Sequence, residues 1–111
     1  MAYIPEQGDI VWLDFDPSSG KEIMKRRPAY VLSKKSFNAH VKMAIVAPIS
    51  STIRGVKLEV VLPDKLKTQG AIMVYQLKTV DFIKRKAKLI ETTPAAIVEY
   101  VYNIAHTLIQ M

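Results

Sequence analysis

Asp9-Ile10-Val11-Trp12-Leu13-Asp14-Phe15, followed at once by Asp16-Pro17-Ser18-Ser19-Gly20, sets the period of the chain. The alternation predicts a strand over residues 9–15, with Val11, Leu13 and Phe15 on one face and Ile10, Trp12 and Asp14 on the other. The next five residues are loop chemistry: Pro presets its own φ, Gly tolerates positive φ, and Asp and Ser bond nearby backbone. Residues 21–27 are charged and expected to be exposed. Pro28-Ala29-Tyr30-Val31-Leu32-Ser33 returns to a strand, its proline suited to the start or edge because it has no N–H to donate. Residues 34–40 form a polar connection with room for one helical turn. Residues 41–49 then read as a largely buried strand interrupted near Pro48, residues 50–55 as a loop and residues 56–62 as a strand. Residues 63–70 turn the chain, and residues 71–80 supply one or two more strands. Short strands separated by Gly, Pro and Ser favour a small barrel or sandwich over a parallel sheet.

The C-terminal end has a different period. Thr93 is placed as an N-cap, with Pro94 at the first helical position. Ile97, Val101, Ile104, Ala105 and Leu108 recur at helical spacing, and Val98, Tyr102 and Ile109 widen the stripe. Glu99, Asn103, His106 and Gln110 mark the wet side. The expectation is a mainly β protein with one C-terminal amphipathic helix: a single domain over 1–111, with the barrel at about 8–90 and the helix at about 94–109.

The chain has 111 residues, half of them hydrophobic and 23% charged, enough for one compact core. No apolar run approaches the roughly 18–20 residues needed to span a bilayer, and the N-terminus lacks a signal-peptide pattern. Cysteine is absent, which removes disulfides, thiolate catalysis and Cys-based metal sites together. A cytoplasmic protein is the simplest expectation. The net charge is +6 and the pI about 9.6, which favours polyanionic partners, above all nucleic acid. A solvated lysine-rich surface would give the same totals, so placement has to decide.

Two segments carry possible chemistry. Lys25-Arg26-Arg27-Pro28 sets three adjacent cations where a loop enters a strand. A charge run is ordinarily a solvated loop, yet a guanidinium fixed by a following proline suits bidentate phosphate recognition. Pro48-Ile49-Ser50-Ser51-Thr52 clusters hydroxyls at another strand-to-loop junction, either as turn hydroxyls or as donors facing a phosphate. Other templates fit poorly. His40 and His106 lie in different elements, and Asp9, Asp14 and Asp16 have no His or Glu to complete a ligand set. No metal and no cofactor is expected.

The succession Gly8-Asp9-Ile10-Val11-Trp12-Leu13-Asp14-Phe15-Asp16-Pro17, Gly20-Lys21-Glu22, Arg26-Arg27-Pro28-Ala29-Tyr30-Val31-Leu32-Ser33, Pro48-Ile49-Ser50-Ser51 and Tyr75-Gln76-Leu77-Lys78-Thr79 resembles MazF/PemK toxins. Each motif alone is common; their order is what carries the resemblance, up to about residue 80. The resemblance implies a small half-open barrel of Src-homology-3-like (PemK-like) type, acting as a homodimer. It implies an endoribonuclease that cuts single-stranded RNA at a short sequence, without metal, and that is neutralised by a MazE/PemI-like antitoxin with an acidic C-terminal segment. The family's catalytic Arg before Pro matches Arg27. Its catalytic Thr matches Ser50, which keeps the hydroxyl and lacks the methyl group, with Ser51 and Thr52 as fallback positions. Glu22 resembles a loop Glu of the family, and Gln76 a Gln bordering its RNA groove.

On that reading, the substrate 2′-hydroxyl attacks, leaving a 2′,3′-cyclic phosphate and a 5′-hydroxyl end. Arg27 and Ser50 would stabilise charge on the phosphoryl oxygens. Glu22 is a conceivable base, but the base is open at this stage. Lys21, Lys25, Arg26, Arg54 and Lys57 are expected along the RNA backbone, with Tyr75 and Gln76 beside them. Two other readings stand alongside: a non-catalytic nucleic-acid-binding or regulatory barrel, and a partner-binding domain with no nucleic-acid role.

Overall fold

The computed structural model describes residues 3–15 and 26–111. Along the chain run β1 (Asp9–Asp14), β2 (Arg26–Val31), α1 (Lys35–Val41), β3 (Ala44–Ser50), β4 (Glu59–Val61) and β5 (Ala71–Met73). A 3-10 turn (Val74–Gln76), β6 (Lys78–Val80), β7 (Lys88–Thr92) and α2 (Ala95–Gln110) complete it. The sheet is antiparallel with strand order β4-β5-β3-β2-β1-β7, and β6 pairs with β3 beside β5. It does not close, so the half-open barrel with a C-terminal helix is the observed architecture. Among the described residues, no helix is long and apolar enough to cross a membrane.

Both faces of the sheet are buried near its centre. One core gathers Ile10, Tyr30, Ala47, Ile49, Ile72 and Val74 against α2, which contributes buried Val101 flanked by Ile97, Ile104, Ala105 and Leu108. The second gathers Val11, Leu13, Ala29, Val31, Ala44, Val46, Val80 and Phe82, with Phe15 at its margin. The two faces of β1 part as the alternation predicts, with Val11, Leu13 and Phe15 in the second core and Ile10 in the first; both faces are buried, and only Trp12 and Asp14 on the Ile10 face approach solvent.

Several boundaries move for physical reasons. The second strand begins at Arg26 rather than Pro28, because Arg26 and Arg27 pair with Asp14 and Leu13 of β1. Pro48 does not interrupt β3. The Leu32 N–H donates to the Ile45 carbonyl at 2.8 Å, which makes Val31–Val46 and Ala29–Pro48 non-hydrogen-bonded pairs. The missing N–H of Pro48 therefore faces away from β2, where β3 changes partner from β6 to β5.

The strand expected over residues 56–62 shrinks to Glu59–Val61. Upstream, the N–H groups of Arg54 and Gly55 donate to Glu59 Oε1, each at 3.1 Å, and this local capture replaces a ladder. Residues 81–92, left unassigned by the pattern, hold β7, whose partly exposed side chains carry no clean alternation. Thr93 does not cap α2: its hydroxyl donates to the Gly8 carbonyl at 2.8 Å, and Pro94 occupies the N-cap position. Tyr102 and Ile109 are exposed and do not widen the packed stripe.

Candidate functional site

The site lies where β2 and β3 emerge from the sheet. The β2–β3 ladder ends at Ala29 opposite Pro48; Arg27 lies two residues before the one and Ser50 two residues after the other, so both come to the same end of the sheet. A cleft of about 370 Å³ opens there, lined by Arg27, Pro28, Ile49, Ser50, Ser51, Thr52 and Gln69. The two segments singled out from the sequence, 23 residues apart between Arg27 and Ser50, thus become one surface.

Backbone packing sets the position of Ser50. Ser50 pairs with Ala71 at the start of β5, and the preceding Gly70 has φ +118°. A Cβ at Gly70 would lie 2.1 Å from the Ser50 carbonyl oxygen, so only glycine lets the two backbones approach this closely. The Ser50 Oγ accepts a hydrogen bond from the Thr52 N–H at 3.1 Å. With that lone pair engaged, the hydroxyl proton is free to be donated into the cleft.

The neighbouring arginines divide their tasks. Arg26 donates to Asp14 Oδ1 at 2.8 Å and to the Lys86 carbonyl at 2.7 Å, tying β2 to β1 and to the turn before β7. Its charge is therefore largely engaged within the fold, although it was expected along the RNA backbone. Arg27 has no carboxylate partner among the described residues and lines the cleft. Alternation along the strand separates the two, a distinction three consecutive cations cannot express in sequence.

Ser51 and Thr52 also line the cleft, both exposed. Arg54 and Lys57 sit exposed on the adjoining loop, which curls over the buried Glu59. Tyr75 and Gln76 lie on the 3-10 turn, exposed and not among the cleft-lining residues. Lys21, Glu22 and Lys25 lie outside the described residues, as does the expected loop at 16–20. Gln69 joins the cleft although the sequence reading passed over it. Its one local signal is the following glycine, which marks a close backbone approach.

Among the described residues, no other ionisable group lines the cleft. Asp9 Oδ2 accepts from the Tyr3 hydroxyl and from the Glu6 N–H at 3.0 Å, at the far end of β1 from Asp14. Five residue steps of strand separate these carboxylates by roughly 17 Å, too far to share one ion. His40 ends α1, while the His106 ring stacks on Tyr102 of α2 at 6.1 Å. Among the described residues, no three His, Asp or Glu side chains gather in a metal-binding group.

A guanidinium with no carboxylate partner among the described residues, sharing a small polar cleft with hydroxyl donors, is suited to the equatorial oxygens of a phosphodiester. Fold and cleft together define a small open-sheet β protein with a polar cleft, lined by an arginine and three hydroxyls, at the end of β2 and β3.

Residues 6–109 match the family described as PemK-like, MazF-like toxin of type II toxin-antitoxin system, and the chain belongs to that family. It is 35% identical over 85 residues to the endoribonuclease toxin MazF of Escherichia coli (strain K12), covering 77% of this chain and 76% of that protein. It is 37% identical over 99 residues to the endoribonuclease toxin ChpB of the same strain, covering 85% and 84%. A crystal structure of MazE-MazF from Deinococcus radiodurans superposes with a TM-score of 0.92 at 32% identity, covering 99% of each chain.

Proposed function

We propose that this chain is the endoribonuclease toxin of a toxin–antitoxin pair, cleaving single-stranded RNA at a short sequence without a metal ion. The observation that carries the reading is the meeting of Arg27 and Ser50 in one cleft. The 2′-oxygen of the substrate forms a bond to phosphorus while the bond to the 5′-oxygen breaks. The 2′ proton leaves, a proton reaches the 5′-oxygen, and the products are a 2′,3′-cyclic phosphate and a 5′-hydroxyl end. Arg27 gives two donors to the phosphoryl oxygens and Ser50 gives one, which stabilises charge as it develops. Arginine stays protonated at every pH up to about 12, so Arg27 stabilises charge and does not act as the base. Glu22 is the carboxylate assigned to support proton transfer.

Bases on either side of the scissile phosphate are read in single-stranded form, since their edges are then exposed. Arg54 and Lys57, on the loop adjoining the cleft, hold the RNA backbone, and Lys21 and Lys25 are proposed as further backbone contacts on the family resemblance. The toxin acts as one domain, as a homodimer and in the cytoplasm, and it slows growth by cutting messenger RNA. Its second partner is an antitoxin of MazE/PemI type, whose acidic C-terminal segment competes for the same cations.

The test is incubation of a long RNA with purified protein in excess EDTA, followed by mapping of the new 5′ ends. Discrete cuts bearing 5′-hydroxyl groups are expected. Intact RNA with a mobility shift would make the protein a binder, and cleavage only with Mg²⁺ or Mn²⁺ would overturn the metal-free step.

A further inference from the structure

Trp12, the chain's one tryptophan, is 41% exposed although its strand, β1, is paired on both sides, with β2 and with the edge strand β7. Its cross-strand partners are Pro28 on one side and Lys88 on the other. Residues paired in this way point to the same face, so Pro28, Trp12 and Lys88 form one row across three strands. Pro28 is also a wall of the cleft. At the usual spacing of about 4.8 Å per strand, the row runs from the cleft to Lys88 in roughly 10 Å.

The surroundings of the row are cationic. Lys84, Lys86 and Lys88 are exposed, and none of them has an ion-pair partner among the described residues. The acidic groups nearby are already engaged. Asp14 holds Arg26, and Asp81 Oδ1 accepts the N–H groups of Ile83 and Lys84 at 3.1 and 3.0 Å. Arg26 reaches from β2 to the Lys86 carbonyl, which fixes this turn beside the row. An exposed indole flanked by unpaired ammonium groups is the pairing that single-stranded nucleic acid uses, with a base on the ring and phosphates on the cations.

We infer that the Pro28–Trp12–Lys88 row, on the Arg26 face of the sheet, leads away from the Pro28 wall of the cleft as an RNA track, with Trp12 stacking a base beyond the nucleotides held in the cleft and Lys88 holding a phosphate further along. This rests on the ribonuclease reading and names residues that deepen it. Trp12 and Lys88 bind and position the strand; they do not touch the reacting atoms.

The experiment uses full-length protein and a single-stranded oligonucleotide of the mapped cleavage sequence, with the scissile 2′-hydroxyl replaced by hydrogen. Binding should quench the Trp12 fluorescence. Trp12→Ala should weaken affinity about 10-fold or more, and Trp12→Phe should retain most of it. Lys88→Gln should lower the slope of log affinity against log salt by about 0.7, the value for one phosphate contact on a single strand. Thermal melts check that each variant folds, and exposed Lys88 supplies a readout independent of any packing loss at Trp12. An unquenched indole, wild-type affinity in a folded Trp12→Ala protein, or an unchanged slope in Lys88→Gln overturns the track. So does a pair of variants that keep RNA affinity and lose binding of an acidic antitoxin peptide. Cleavage of ordinary RNA by the wild type is scored in parallel. A cleaving enzyme with a silent Trp12 removes only the track, whereas an inert wild type removes the ribonuclease reading itself.

Discussion

Arg27, paired with Leu13 of β1, and Ser50, paired with Ala71 of β5, line the same cleft just beyond the Ala29–Pro48 end of the β2–β3 ladder. Because strand register places them, they can be altered one at a time without moving the core. Arg27→Ala should leave the melting temperature nearly unchanged and lower cleavage by at least about 10²-fold, the scale for one lost transition-state stabiliser. Arg27→Lys should recover only part of the loss, since an ammonium cannot reproduce the two-donor fork. A folded Arg27→Ala protein with near-normal single-turnover rates would refute the assignment.

The hydroxyls can be ranked by the same assay. Ser50→Ala should impair cleavage more than Ser51→Ala or Thr52→Ala, because Ser50 is held by the β5 pairing and by the Thr52 N–H. If Ser51→Ala is the more damaging change, the catalytic hydroxyl is one residue further along the chain.

Gly70 is the point where the site depends on backbone contact. Gly70→Ala forces a Cβ against the Ser50 carbonyl at a positive φ, which costs about 1–3 kcal/mol in backbone strain before any clash is counted. Denaturant melts should show that loss, together with reduced cleavage. Wild-type stability and activity in this variant would mean that β5 can shift without disturbing Ser50.

Tyr30 offers a pH test away from the site. Its hydroxyl is buried beside Thr93 without a hydrogen bond of full geometry, and burial pushes its pKa up from 10.0 to about 12 against a smaller lowering by Thr93. The folded state thus resists ionisation that the unfolded chain accepts. The stability this contributes is complete below pH 10 and declines as pH rises towards 12. Tyr30→Phe should shallow that alkaline decline, measured by melts from pH 8 upward, with the half-buried Tyr3 beside Asp9 supplying the remainder. At neutral pH the change should be neutral or stabilising by up to about 1 kcal/mol, because it removes an unsatisfied buried group. A marked loss at neutral pH would show that the hydroxyl has a partner.

Competition tests the antitoxin. Acidic peptide corresponding to the antitoxin's C-terminal segment should displace RNA, and added salt should slow association more than it speeds dissociation. Simultaneous binding of peptide and RNA with unchanged affinities would rule out a shared surface.

The sequence by itself determined the element types and the parts list of the site. Period-2 alternation in residues 9–15 and 28–33 required strands, the helical stripe from Ile97 to Leu108 required a helix facing a core, and motif order marked Arg27 and Ser50 in advance. Those signals are local, so a single chain displays them. Tertiary structure decided which of two adjacent arginines is spent on Asp14 and which faces the cleft, because that choice depends on the partner strand's register. It also decided that Gln69 joins the cleft, that Thr93 ties down Gly8 instead of capping α2, and that Trp12 stands exposed in line with Pro28 and Lys88. Each of these is a contact between residues far apart in the chain. Such contacts arise only when the strands are laid side by side, and no window of sequence contains both partners.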